Sequence, residues 1–203
     1  LQPHIMINDR MRDAEQLRGD YRTPEGAAPN VAPRAADGTA AWELCATSNG
    51  YWGYHRGDAP YLSAGAVATG LMTCVSRGGN LLLNIGPDER GNFPAPNVAM
   101  LEELATWFAA HEPAVRGAGA AHLSPPTGCL YTRTGDTLYL YLPTAPIGDV
   151  HLPGLAGRCA EAVVMRDGVK LPQADAPAPY AAPGELRLDT GGSCRAGDVV
   201  AIH

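Results

Sequence analysis

The chain has 203 residues, a mass of 21.2 kDa and a formal net charge of −6. Hydrophobic residues make up 45%, close to the globular norm, which suits one or two folded domains with a sizeable core and gives no sign of a disordered chain. No apolar stretch approaches the roughly 20 residues of a membrane span, and no block of Lys or Arg offers a surface for phosphates, so neither membrane nor nucleic acid is an expected partner.

In chain order, His4–Asn8 reads as a short buried strand whose end turns polar at Asn8-Asp9-Arg10. Residues 11–41, rich in Pro, Gly and charge, read as a long loop, and loops of that length are usually functional or disordered. Trp42–Ser48 is a second strand candidate, followed by a polar, aromatic loop at Asn49–Tyr61. Ser63 is a helix N-cap candidate. Val67, Leu71, Cys74 and Val75 then share one helical face, and Gly78-Gly79 ends the helix. Asn80–Ile85 is a near-continuous apolar run, as in a parallel strand covered on both faces. Gly86-Pro87 breaks it. A second helix is expected over Asn97–His111, with Val98, Leu101, Leu104, Ala105 and Phe108 as its buried stripe, and Pro113 stops it.

The pattern changes near Gly117–Ala121. Strands of period two follow: Leu130–Arg133, Leu138–Leu142, Val150–Leu152, Ala162–Arg166, Val169–Leu171, Glu185–Leu188 and Val199–Ile202. Thr134-Gly135-Asp136 and Asp167-Gly168 are hairpin signals. Leu138, Leu140 and Leu142 should face one way, Tyr139 and Tyr141 the other. The fold class expected is α/β followed by all-β: a partial (β/α) barrel over residues 1–117 and an antiparallel β-sandwich over 118–203.

Five cysteines, Cys45, Cys74, Cys129, Cys159 and Cys194, form no Cys-x-x-Cys pair. They read as reduced structural thiols, not a zinc cluster. A Cys159–Cys194 bridge is the pairing left open for an oxidising compartment. The sequence shows no basic region followed by an apolar leader, so no secretory signal is expected. The compartment itself is not assigned.

Parallel β/α folds bind ligands at the C-terminal ends of their strands. That rule selects Asn8, Asp9 and Arg10; Thr47, Ser48 and Asn49, with Trp52 just beyond; and Asn84 with Gly86. The 11–41 loop adds Asp20 through Glu25. Aromatic rings stack on sugar C–H faces, while carboxylates and Arg bond hydroxyls, so these types suggest a sugar ligand. Glycoside hydrolysis needs one carboxylic acid and a second carboxylate. Glu25 and Glu43 are the nearest glutamates, with Asp9, Asp20 and Asp58 further candidates. On residue type alone Glu25 reads as a solvated loop glutamate, Arg10 as half of an ion pair with Asp9, Asp13 or Asp20, and Trp52 as core. Glu43 has the alternative of satisfying buried polar groups. His55 is a lesser candidate acid or donor. Gly78-Gly79 follows a helix instead of opening one, so it is no phosphate loop.

A set of motifs resembles one family. Asn8-Asp9-Arg10, Gly19-Asp20-Tyr21-Arg22-Thr23-Pro24-Glu25, Trp42-Glu43-Leu44-Cys45-Ala46-Thr47, Trp52-Gly53-Tyr54 and Ser76 to Pro87 occur in the order seen in α-L-fucosidases of glycoside hydrolase family 29. The resemblance covers about residues 5–117 closely and the sandwich loosely. It implies a catalytic β/α barrel joined to a β-sandwich, removal of terminal α-linked L-fucose with retention, and no metal or organic cofactor. It implies a fucosylated glycan or aryl fucoside as substrate. Glu25 matches the acid/base position, Arg10 an arginine near the sugar, and Trp52 an aromatic that packs on fucose. Asn49 and Tyr54, from the same loop, are expected to contact substrate.

The family's nucleophile lies on a strand before the match to residue 5. A whole barrel takes about 250 residues, so the chain is expected to correspond to the last portion of a fucosidase. A second carboxylate is then expected from Glu43, Asp58, Asp9 or a neighbouring chain. A partial barrel leaves open edges and exposed apolar surface, from which a homo-oligomer is expected. The rival expectation is an inactive remnant that binds carbohydrate or serves structure alone.

Overall fold

The computed structural model describes residues 2, 4–10, 19–33, 41–57, 60–175, 182 and 184–203. The chain forms two compact units, residues 1–104 and 105–203.

In the first unit, β1 (Glu43–Thr47) pairs in parallel with β2 (Asn80–Asn84), with Cys45 opposite Leu82. Between them runs α1 (Ala64–Ser76), capped by Ser63 Oγ accepting from the Ala66 amide at 3.2 Å. Its stripe buries Met72 fully, whereas Leu71 is half-buried. Gly78 takes φ +72°, a left-handed turn that glycine adopts without strain. A Cβ on Gly79 would meet the Trp42 indole at 2.1 Å, so the Gly-Gly pair both ends the helix and makes room for a core tryptophan. Trp42, Leu44 and Cys74 form one core cluster. Ala64, Val67 and Met100 form another, with Leu81, Leu83 and Ile85 packed against it.

Three expectations change here. β2 is covered on one face only: Leu81 and Leu83 pack inward while Leu82 is 50% exposed. His4–Asn8 is not a buried strand, since Ile5 and Met6 are exposed and Asn8 alone bridges to Tyr21. Part of the expected 11–41 loop is instead extended backbone. Residues 20–25 pair in parallel with Asn8 on one side and with Trp42 and Cys45 on the other. The bonds include Asp9 N–H to Tyr21 C=O at 3.2 Å, Glu43 N–H to Arg22 C=O at 2.9 Å and Cys45 N–H to Pro24 C=O at 2.9 Å. Four consecutive segments thus run in parallel. Closure into a barrel is not seen among the described residues.

The helix α2 (Ala95–His111) keeps Leu101, Leu104 and Phe108 of its expected stripe at least half-buried, whereas Val98 and Ala105 are exposed. Asn97 and Met100 are buried and Leu104 is half-buried, while Val98 is 39% exposed. Two polar residues, Asn97 and His111, occupy this stripe, and an apolar pattern could not have found them.

In the second unit a short 3₁₀ turn (Glu112–Ala114) leads into nine strands: β3 (Gly119–Ala120), β4 (Leu130–Thr134), β5 (Thr137–Tyr141), β6 (Val150–Leu152), β7 (Ala162–Val164), β8 (Val169–Lys170), β9 (Gln173–Asp175), β10 (Leu186–Leu188) and β11 (Val199–Ile202). They form a six-stranded sheet in the order β3-β4-β5-β11-β7-β8 and a three-stranded sheet in the order β6-β10-β9. All pairings are antiparallel. One core joins the two sheets: Leu138, Leu140 and Val200 from the larger, Leu152, Leu186 and Leu188 from the smaller. Tyr139 and Tyr141 lie on the opposite face, and Trp107 meets Tyr141 edge-on at 6.2 Å. This is the antiparallel sandwich expected, with β3 and β9 as strands too short to show a period. All five cysteines are free thiols. Burial raises Cys74 and Cys194 to about 11, which suits packing groups, not reactive ones.

Candidate active site

The parallel pairing sets the site. Because residues 8, 21–25 and 42–45 stand side by side, Asp9, Arg10, Thr23 and Glu25 converge at the C-terminal ends of two adjacent segments. They line an open recess of about 340 Å³.

Asp9 Oδ1 accepts from the Thr23 amide at 3.0 Å and from Thr23 Oγ1 at 2.8 Å, and Asp9 Oδ2 lies 3.5 Å from Arg22 Nη1. Burial works to raise the Asp9 carboxyl, but the Thr23 bonds and the Arg22 charge outweigh it and hold it below its ordinary value. Arg10 Nε donates to Thr23 Oγ1 at 2.8 Å and Nη2 to the Thr23 carbonyl at 3.1 Å. Its Nη1 donates to Glu25 Oε1 in a charge-assisted hydrogen bond. Glu25 is half exposed and its backbone bridges to Cys45. Asp20 is structural: its Oδ2 accepts from the Ile7 amide at 2.7 Å.

The aromatic loop is anchored at the ends of the next two strands. Thr47 Oγ1 lies 2.9 Å from both Asn49 Oδ1 and the Tyr51 carbonyl. Asn84 Nδ2 donates to the Trp52 carbonyl at 2.7 Å. A Cβ on Gly86 would lie 2.6 Å from the Tyr54 amide nitrogen, so glycine is needed for this approach. The loop presents Tyr51, Trp52 and Tyr54 to solvent, with Trp52 48% exposed. Tyr51 stacks on His55 at 4.9 Å. Asn49 Nδ2 donates to the Gly53 carbonyl at 3.4 Å, which makes it a loop brace.

Of the expected site residues, the structure brings Arg10 and Glu25 together and sets the Trp52–Tyr54 loop at the same end of the parallel segments. It does not bring Glu43 to Glu25. Glu43 begins β1, opposite Asn80, and lines a separate recess with Met6, Tyr21 and Trp42. Asp58 lies outside the described residues. The sequence placed Thr23 at the strand ends only within the run Asp20 to Glu25 and gave it no role of its own. Among the described residues no group of three or more His, Cys, Asp or Glu side chains could hold a metal, and no helix is long and apolar enough to cross a membrane.

A carboxylate paired with an arginine in an open recess can exchange hydrogen bonds with the hydroxyls of a polar ligand. Residues 1–112 match the profile of the family described as Alpha-L-fucosidase, and the chain belongs to that family. It is similar to alpha-L-fucosidase of Dictyostelium discoideum, 31% identical over 98 residues that make up 47% of this chain and 21% of that protein. It is also similar in structure to alpha-L-fucosidase isoenzyme 1 from Paenibacillus thiaminolyticus, with a TM-score of 0.89 and 33% identity across 100% of this chain and 50% of that one. An alpha-L-fucosidase from Bacteroides thetaiotaomicron, solved as a trapped covalent intermediate, shares the fold at a TM-score of 0.81 and 20% identity, over 99% of this chain and 49% of that one. The chain therefore spans about half the length of the solved relatives it matches.

Proposed function

We propose that the chain acts on α-L-fucosides as a glycoside hydrolase, with Glu25 as general acid/base. The observation that carries this reading is the convergence of Glu25 and Arg10 in one recess, at the strand ends, in a chain of the α-L-fucosidase family. Glu25 protonates the leaving oxygen and then deprotonates water. Arg10 bonds the sugar hydroxyls, and the Trp52 and Tyr54 rings cover its apolar face. Residues 1–117 supply the closing part of the catalytic domain and 118–203 the sandwich.

A second carboxylate is required. Asp9 shares the recess, but its oxygens are committed to Thr23 and Arg22, and Glu43 faces another recess. We place the second carboxylate on Asp58, on another segment or on a second copy of the chain. Exposed Ile5, Met6 and Leu82 support a homo-oligomer, since such apolar surface usually marks an interface; a monomer mass in light scattering contradicts it.

The commitment of Asp9 and the placement of Glu43 in another recess favour a second reading, a site that binds fucose without cleaving it. Hydrolysis of an aryl α-L-fucoside decides between them. The catalytic reading expects activity in the chain and a loss of more than about a hundredfold in Glu25→Gln. Equal activity in both removes Glu25 from the mechanism, and no activity in either leaves the binding reading.

A further inference from the structure

We propose that Asp9 and Thr23 are positioning residues that lock the Arg10 guanidinium in place, so that Glu25 is the partner that moves when a glycoside enters the recess. The inference rests on the reading of Glu25 as the acid/base.

Donor and acceptor counting fixes the direction of every bond. A threonine hydroxyl has one proton. Asp9 Oδ1, an acceptor, lies 2.8 Å from Thr23 Oγ1 and takes that proton. The hydroxyl's lone pair is then turned to Arg10 Nε, also at 2.8 Å. The Thr23 carbonyl takes Nη2 at 3.1 Å. Two of the three guanidinium nitrogens are thereby held by a single residue, and Nη1 is left for Glu25. Asp9 stays ionised at neutral pH, because the Thr23 bonds and Arg22 outweigh the effect of its burial, so the first link keeps its polarity.

The backbone under Arg10 is fixed as well. Asn8 Oδ1 accepts from the Arg10 amide at 3.1 Å. Gly19, at φ +54°, lies so close that a Cβ there would be 2.7 Å from the Asp9 nitrogen. Glu25 has no comparable brace. Its side chain is 52% exposed against 38% for Arg10, and its hydrogen bond in the described structure is the one from Nη1.

The arrangement answers a chemical problem. An arginine against a carboxylate favours the ionised form, yet a general acid must deliver a proton. If Arg10 could follow Glu25 toward the glycosidic oxygen, the two would move as a closed pair. With Arg10 tethered, a small rotation of Glu25 breaks the pair; the carboxyl takes a proton from solvent, gives it to the leaving oxygen, takes one back from the attacking water, and re-forms the pair once that proton returns to solvent.

The test uses the full chain and three variants: Thr23→Val, which keeps the shape and loses the hydroxyl; Thr23→Ser, which restores it; and Asp9→Asn, which keeps the shape and loses the charge. The first readout is hydrogen exchange at Arg10 Nε by NMR, which needs no turnover. Exchange should quicken about tenfold or more in Thr23→Val, should quicken also in Asp9→Asn, and should return to within about threefold of the parent in Thr23→Ser. The second is steady-state hydrolysis of an aryl α-L-fucoside, where Thr23→Val should lower kcat about tenfold with KM changed less than about threefold. Unchanged Arg10 exchange in both Thr23→Val and Asp9→Asn overturns the lock. Quickened exchange with unchanged kcat overturns its positioning role. If the parent hydrolyses nothing, the reading of Glu25 falls, and the exchange measurement still decides whether Arg10 is tethered. Should Thr23→Val fail to fold, Asp9→Asn carries the same comparison.

Discussion

The two sheets that dominate this molecule are finished differently. In the second unit the six-stranded sheet is covered on both sides: β11 is buried along its whole length, Leu140 faces the sandwich core, and Tyr141 faces Trp107. In the first unit the parallel segments are covered on one side by α1 and part of α2, while the other side exposes Leu82. The core cluster between the covered sheet and its partner is built of apolar residues. The half-covered sheet carries Asp9, Arg10, Thr23 and Glu25 at its end. Burial on two faces favours apolar packing, and the polar recess residues sit at the ends of the parallel segments.

Paired truncations test that contrast directly. Leu140→Ala removes a fully buried side chain and should cost about 2–5 kcal/mol by urea denaturation. Leu82→Ala removes one that is half exposed and should cost less than about 1 kcal/mol. Equal costs would contradict the contrast between the two residues.

A smaller effect should come from His111, which is 2% exposed within the second unit. Its Nδ1 donates to the Trp107 carbonyl at 2.7 Å, and its buried Nε2 has no partner among the described residues. Burial lowers its pKa, and the Arg166 charge adds to this, against the Trp107 carbonyl and Asp198. The unfolded chain takes up this proton near pH 6.5, and the folded chain only at lower pH. Below about 6.5 the unfolded state therefore binds more protons, and stability falls as pH falls, by at most about 1.4 kcal/mol per pH unit from this group. His111→Phe should flatten that part of the profile, compared with the parent between pH 7.5 and 5.5. An unchanged slope removes His111 from the pH response.

Legibility followed the same contrast. β5 could be read in advance because Leu138, Leu140 and Leu142 alternate with Tyr139 and Tyr141 on two distinct buried faces. The extended run 20–25 could not, because Asp20, Arg22 and Glu25 are polar and Pro24 is a strand breaker. It is held by bridges to neighbours on both sides, not by an apolar pattern. Arg10 and Glu25 were legible as residue types at strand ends, and from their motifs. Thr23 was not, since its importance lies in hydrogen-bond direction. The stripe of α2 was read in part, through Leu101, Leu104 and Phe108; Asn97 and His111 escaped because they are polar residues buried in it.

The most direct measurement is a titration of the full chain with L-fucose, followed by NMR shift changes at each residue. The account predicts that the largest shifts fall on Asp9, Arg10, Thr23 and Glu25, with a second group at Tyr51, Trp52 and Tyr54. Shifts confined to the sandwich, or none at millimolar sugar, would contradict it.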